Sequence, residues 1–276
     1  MQKIDAHQHF WQYDPVAHSW IPDESIKKDF MPEDLYPVLQ KDGIDGCVLV
    51  QVDQTEAENN FQLQNAEKFD FIKGYVGWVD LQSEDVAEKL SYYKSFDKIK
   101  GFRHILQGET DRALMLKPAF TNGIGLLKQF GFTYDILIFP DQLKYAADLV
   151  RQFPDQPFVI DHIAKPYIKD GLIDDWKTDM EAMAQYENVL CKISGMVTEA
   201  DHKNWKKEQF TPYLDVVVKA FGTNRIMYGS DWPVCLAAGS YEAMKEIADD
   251  YFASFTEDEQ NAFWGGNAIK FYRLEE

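Results

Sequence analysis

Eight short segments rich in β-branched and aromatic residues recur along the chain, and they constrain its fold more than any other feature. They cover residues 3–9, 45–52, 72–79, 99–105, 132–139, 158–163, 189–194 and 225–231. The intervals between them carry helix signals, such as Pro32 at a helix start and Gly43 beyond its end. Strands that alternate with helices predict a parallel sheet. Because closed barrels of this kind commonly occupy about 250 residues, we expect one (β/α)8 TIM barrel domain over residues 1–276.

The predicted connections differ in length at the two ends of the barrel. Connections from a helix to the next strand are short, whereas several strand-to-helix loops are long, at residues 10–31, 107–114, 164–174 and 196–205. In such barrels the strand-to-helix loops form the catalytic face. We therefore expect the active site at the carboxyl ends of the strands.

Composition and charge exclude several classes of protein. The chain has 46 acidic and 28 basic residues, a net charge of −18, which argues against nucleic-acid or anionic-membrane binding. It has no apolar run near the roughly 18 residues of a membrane span and no signal-peptide pattern at its start, so we expect a cytoplasmic protein. Its three cysteines are widely separated in apolar segments and are expected to be reduced core thiols.

Histidine and aspartate side chains follow the ends of three predicted strands. His7 and His9 are two residues apart on the first strand and should face the same side. His162 lies at the end of the sixth strand and Asp231 ends the eighth, which neighbours the first when the barrel closes. These residue types serve metal binding and acid–base catalysis. A buried hydrogen-bonded histidine pair and a turn-capping Asp231 are the structural alternatives.

Several motifs together resemble a known family. They are His7-Gln8-His9, Asp161-His162 with Lys165-Pro166, Lys192-Ile193-Ser194-Gly195 and Gly229-Ser230-Asp231-Trp232-Pro233-Val234. The set resembles the amidohydrolase superfamily, and within it the amidohydrolase-2 branch of L-fuconolactonase-like sugar-lactone hydrolases. The resemblance spans nearly the whole chain.

The chain departs from the metal pattern of that superfamily. Metal-dependent members usually add a histidine from strand five, and binuclear members add a lysine from strand four. Neither residue is found at the corresponding positions here. The ligands left for one divalent metal such as Zn²⁺ are His7, His9 and Asp231, which suffice for catalytic zinc with a water. We expect no obligatory cofactor, as the resemblance to metal-independent lactonases implies.

The resemblance implies a hydrolase that opens a sugar lactone, such as L-fuconolactone or L-rhamnonolactone, to the aldonic acid. Asp231 is expected to take a proton from water, while His7, His9 and His162 position that water and polarise the carbonyl. The predicted substrate contacts lie in or beside the loops: Arg103, Trp11, His18, Trp20, Lys165, Tyr167 and Trp232. The expected partner is a small neutral lactone, and association into a homo-oligomer is left open.

Two other functions use the same scaffold. One is a metal-dependent decarboxylase or another amidohydrolase, which requires a stoichiometric metal. The other is a non-catalytic ligand-binding barrel, because fold does not fix function.

Strand parity gives further expectations for single residues. Arg103 and His104 cannot both face the barrel interior, and Asp161 should point away from the side that His162 faces. Lys192 is expected either to pair with Asp231 or to form another internal ion pair. His202 is expected at the surface.

Overall fold

The computed structural model describes residues 1–21 and 23–275, and these form a (β/α)8 barrel as predicted. All strand pairs are parallel and follow the chain order. The strands are β1 Ile4–Gln8, β2 Gly46–Val50, β3 Ile72–Gly77, β4 Ile99–His104, β5 Thr133–Ile136, β6 Phe158–Ile160, β7 Val189–Ile193 and β8 Ile226–Tyr228. The ring closes where the Asp231 N–H donates to the His7 carbonyl at 2.8 Å and the His9 N–H to the Trp232 carbonyl at 2.7 Å.

Eight helices cover the outside of the sheet, one after each strand, and two short helices follow the last of them. The helices are α1 Pro32–Lys41, α2 Glu56–Lys68, α3 Val86–Tyr93, α4 Pro118–Phe130, α5 Leu143–Gln152, α6 Asp174–Met183, α7 Thr211–Phe221, α8 Tyr241–Phe252, α9 Glu257–Asn261 and α10 Asn267–Tyr272. Proline in the first turn starts α1, α4 and α7, where its missing N–H removes no helical hydrogen bond. None of the helices in the described part of the chain could span a bilayer.

The apolar core has two parts, one between sheet and helices and one inside the barrel. The interior part includes Ile4, Ala6, Val48, Val76 and Met227, all of which are buried. The three cysteines are buried as free thiols, as expected.

A register shift in β1 turns the first histidine into the barrel. Ala6 faces the interior and Asp5 faces α8, where its carboxylate accepts from the Tyr241 hydroxyl at 3.2 Å. Strict alternation would therefore place His7 on the helix side. The pairing of β1 with β2 shifts between Asp5 and Gln8, and such irregularities re-aim side chains near functional sites. His7 and His9 consequently share the interior face.

A fully buried lysine ties three strands together beneath the site. The Lys192 ammonium of β7 lies 2.6 Å from Asp135 Oδ2 of β5 and 3.0 Å from Asp161 Oδ1, which follows β6. The Tyr272 hydroxyl of α10 donates to the same Asp135 oxygen at 2.7 Å. Of the two expectations for Lys192, the internal ion pair is confirmed.

Replacing this lysine should strongly destabilise the barrel. Lys192→Met keeps the volume but leaves the buried carboxylate of Asp135 without its cation and Asp161 with Arg103 alone, and breaking a buried pair in this way costs about 3–5 kcal/mol. Chemical denaturation monitored by circular dichroism measures the free energy of unfolding. Lys207→Met is the matched control, because Lys207 is half-buried and pairs with exposed carboxylates of Glu246 and Asp250, so its loss should cost about 1 kcal/mol or less. Equal losses in the two variants would contradict a stabilising role for the buried pair.

Candidate active site

A cavity of about 310 Å³ opens at the carboxyl ends of the strands, on the side predicted from the long loops. Its polar lining consists of His9, Arg103, Gln107, His162, Lys165 and Asp231. Its apolar lining consists of Val52, Ile105, Leu137, Val234 and the ring of Trp20. The cavity lining therefore combines hydrogen-bonding groups with side chains that suit carbon-bound hydrogens.

His7, His9 and Asp231 converge at the floor of this cavity. The two imidazole Nε2 atoms are 3.2 Å apart, and Asp231 Oδ1 lies 3.3 Å from His9 Nε2 and 3.9 Å from His7 Nε2. His9 Nδ1 lies 2.8 Å from the Val50 carbonyl, which can only accept a hydrogen bond. His9 Nδ1 therefore donates to that carbonyl, and its Nε2 faces His7 and Asp231.

His162 reaches the same point because the chain leaves the strand before it. β6 ends at Ile160, and the residues from His162 to Lys165 have φ between 48° and 57°. This left-handed stretch places His162 Nε2 3.8 Å from Asp231 Oδ1, while its Nδ1 lies 2.9 Å from Ser194 Oγ. Gly195 makes room for the ring, since a Cβ there would lie 2.5 Å from His162 Nδ1.

The expected orientation of Asp161 is wrong, and the same backbone geometry explains why. Alternation applies only within a strand, and Asp161 lies where β6 has already ended. Its carboxylate points into the barrel, 3.2 Å from His7 Nδ1 and 3.0 Å from Arg103 Nη1. Asp161 therefore orients His7 from beneath.

Burial controls the protonation of these groups. It lowers the pKa of His7 and of His162 well below that of free histidine, so both imidazoles are neutral at pH 7. Burial alone would raise the pKa of Asp231, but the neighbouring His162, the hydrogen bond from His9 and the charge of Lys165 hold it below the ordinary carboxyl value. An ionised carboxylate thus faces neutral imidazoles.

The donor set fits a single divalent metal. Among the described residues, His7, His162 and Asp231 place their donor atoms within 4.8 Å of one another, which differs from the predicted set by one histidine. Zn–N distances of about 2.0–2.1 Å put tetrahedral ligands about 3.3 Å apart, close to the separations among His7, His9 and Asp231. The outer nitrogens of His7 and His9 are held by Asp161 and Val50, as metal-ligating imidazoles usually are.

The side chain of Arg103, on β4, points into the barrel and reaches the site. Its Nη1 lies 3.2 Å from His7 Nε2, and its Nη2 donates to the Gln51 carbonyl at 2.6 Å. His104 faces the opposite way, with Nε2 2.8 Å from Glu109 Oε1, so the expectation that only one of the pair faces inward is confirmed. The surface position expected for His202 is also confirmed.

Three of the predicted substrate contacts line the cavity, namely Arg103, Trp20 and Lys165. The other four lie outside its lining: Trp11, His18, Tyr167 and Trp232. Their role in substrate binding stays a prediction.

The residues outside the lining have other neighbours. Trp11 donates from Nε1 to the Lys28 carbonyl at 2.8 Å, and its ring packs against Phe30. Trp232 also packs against Phe30. These aromatic contacts join the first loop to the segment after β8.

Sequence reasoning missed several groups of the site. Gln51 holds Arg103, Asp135 holds Lys192, and Glu199 accepts from Lys165 at 2.8 Å. Their residue types carry no motif, and only the fold brings them next to their partners.

Comparison with known proteins places the chain in a family. Residues 4–274 match the family described as amidohydrolase. L-fucono-1,5-lactonase of Burkholderia multivorans is 33% identical, over 99% of this chain and 97% of that protein. L-fucono-1,5-lactonase of Burkholderia ambifaria is 34% identical, over 99% of this chain and 96% of that protein.

The fold agrees with that relationship. A crystal structure of an amidohydrolase from Burkholderia multivorans with bound zinc is 33% identical and superposes with a TM-score of 0.96, over 100% of both chains. A match over nearly the whole length, in both sequence and fold, establishes the family. The chain belongs to the amidohydrolase family.

Proposed function

We propose that this protein is a lactonase that hydrolyses the lactone of an aldonic acid, such as L-fuconolactone or L-rhamnonolactone. The proposal rests on the position of Asp231. This ionised carboxylate lines the cavity and is surrounded by His7, His9 and His162. Full-length relatives named L-fucono-1,5-lactonase support it.

The cavity suits a neutral deoxy-sugar lactone. Its volume of about 310 Å³ is at the small end of the range for small-molecule sites. The polar side chains of the lining offer partners for hydroxyl groups, and the apolar side chains of Val52, Ile105, Leu137 and Val234 offer contacts for the methyl group of a 6-deoxy sugar. We infer that this methyl group distinguishes the preferred substrates from fully hydroxylated lactones.

The reaction adds one water across the ring ester. Asp231 takes a proton from the water as its oxygen bonds to the lactone carbonyl carbon, and the carbonyl oxygen becomes an oxyanion. The ammonium of Lys165 has three protons, of which Glu199 accepts one, so it can donate another to that oxyanion. The bond from the carbonyl carbon to the ring oxygen then breaks, and the protonated Asp231 returns its proton to the leaving oxygen.

Histidines and Arg103 prepare this chemistry. His9 and His162 place Nε2 3.3 Å and 3.8 Å from Asp231 Oδ1, where both rings can form hydrogen bonds to the water and hold it beside the carboxylate. Arg103 Nη1 donates to Asp161 at 3.0 Å and lies 3.2 Å from His7 Nε2, so it fixes both side chains. Because these groups are already ordered, little reorganisation is needed when charge develops.

A zinc ion held by His7, His9 or His162 together with Asp231 would act as a Lewis acid on the carbonyl oxygen. Arg103 Nη1 lies 3.2 Å from His7 Nε2, and because a guanidinium can only donate, it competes with a metal for the lone pair of that nitrogen. We therefore propose that the protein residues carry the reaction without an obligatory metal.

A panel of aldonolactones tests the function and the metal requirement together. We expect acid release from 6-deoxy lactones, measured with a pH indicator, and we expect it to persist after chelation with metal content checked by mass spectrometry. Activity that disappears on chelation and returns with zinc would keep the lactonase but make the metal obligatory. No hydrolysis of any lactone would contradict the lactonase and favour the decarboxylase alternative.

Asp231→Asn should nearly abolish turnover. The amide keeps the shape but cannot take a proton, and loss of a general base typically costs about 10²–10⁴-fold in rate. We expect kcat to fall at least ~100-fold in a steady-state assay. Asp97→Asn is the matched control, because Asp97 is exposed between α3 and β4 at the opposite end of the barrel, and it should keep wild-type turnover. An Asp231→Asn enzyme within about tenfold of wild type would rule out the base role.

A further inference from the structure

Lys165 and Glu199 form an ion pair at the edge of the cavity. Lys165 Nζ lies 2.8 Å from Glu199 Oε1, and the two side chains are only 14% and 17% exposed. Lys165 belongs to the left-handed segment after β6, and Glu199 ends a short helical turn, Val197–Glu199, after β7. Two separate loops therefore bring the charges together.

Each cation in or beneath the cavity has a carboxylate partner in the part of the chain that is described. Arg103 pairs with Asp161, Lys192 pairs with Asp135 and Asp161, and Lys165 pairs with Glu199. Asp231 adds one more carboxylate. The site thus offers no spare positive charge for an anionic ligand.

Hydrolysis changes the charge of the ligand inside this cavity. The lactone is neutral, whereas the aldonate product carries a carboxylate at the carbon that was attacked. That carboxylate forms next to Lys165, because Lys165 and Asp231 line the same cavity. An ammonium without a partner would bind it through a charge-assisted hydrogen bond, which is stronger than a neutral one.

We infer that Glu199 determines specificity: its carboxylate cancels the charge of Lys165, so that the site accepts neutral lactones and releases the anionic product. This inference rests on the proposed lactone hydrolysis. A bound metal would change the total charge of the site but not the partnership between these two side chains. Glu199 contacts Lys165 rather than the reacting atoms, so it acts through the lysine.

The Glu199→Gln substitution tests the charge of Glu199 without changing the position of Lys165. The amide is isosteric, and its oxygen still accepts a hydrogen bond from Lys165, so the ammonium stays in place. Only the negative charge is removed. A change in ligand preference would therefore come from electrostatics and not from a displaced lysine.

The test measures binding and turnover in the same variant. We expect titration calorimetry to give a dissociation constant for the aldonate at least ~10-fold lower in Glu199→Gln than in wild type, consistent with the gain from a hydrogen bond to a charged group. Product inhibition should strengthen by the same factor. A lactone that bears a carboxylate should become a better substrate.

Control variants complete the experiment. Glu208→Gln removes the same charge from an exposed position on the same connection between β7 and α7 and should leave aldonate affinity at the wild-type value. The double variant Lys165→Gln with Glu199→Gln should lose the gain in affinity. Glu199→Ala, checked for folding by circular dichroism, should shift aldonate affinity in the same direction as Glu199→Gln.

Two results have separate meanings. Unchanged aldonate affinity in folded Glu199→Gln and Glu199→Ala, with a wild-type enzyme that hydrolyses lactones, would overturn the role of Glu199 and leave the lactonase intact. A wild-type protein that hydrolyses no lactone would instead overturn the proposed function itself.

Discussion

The arrangement of the site depends on the buried charges of Lys192 and Asp161. Lys192 is fully buried, so it requires carboxylate partners, and it finds them on two neighbouring segments of the barrel. Asp161 in turn holds His7 at 3.2 Å and Arg103 at 3.0 Å. Its pKa lies well below the usual range because Lys192, His7 and Arg103 outweigh its burial, so its negative charge is permanent. The network therefore fixes the ends of β1, β4, β6 and β7 relative to one another.

The protonation states of the histidines and of Asp231 determine the chemistry of the site. Desolvation keeps His7 and His162 neutral, while His162, His9 and the charge of Lys165 hold the pKa of Asp231 below the ordinary carboxyl value. The result is a base that is ready at neutral pH in a place where water is partly excluded. Because Arg103 pairs with Asp161 and Lys165 pairs with Glu199, neither cation is left free to bind an anionic ligand.

Much of this could be predicted from the sequence. The alternation of apolar segments with helix signals gave the barrel, and unequal loop lengths gave its functional end, because both follow from local rules. The positions of His7, His9, His162 and Asp231 at strand ends predicted their convergence. The rule of alternation failed for Asp161, since a left-handed segment begins at the next residue and strand geometry no longer applies.

Hydrophobic period and motif spacing are properties of the chain, so the fold and the residue types available for catalysis could be predicted without a structure. The partners of the charges, such as Gln51 for Arg103 and Glu199 for Lys165, are defined only in the folded barrel. Residues far apart in the chain meet through barrel closure and loop packing. Electrostatic interactions depend on those distances and on burial, and neither quantity can be read from the order of residues.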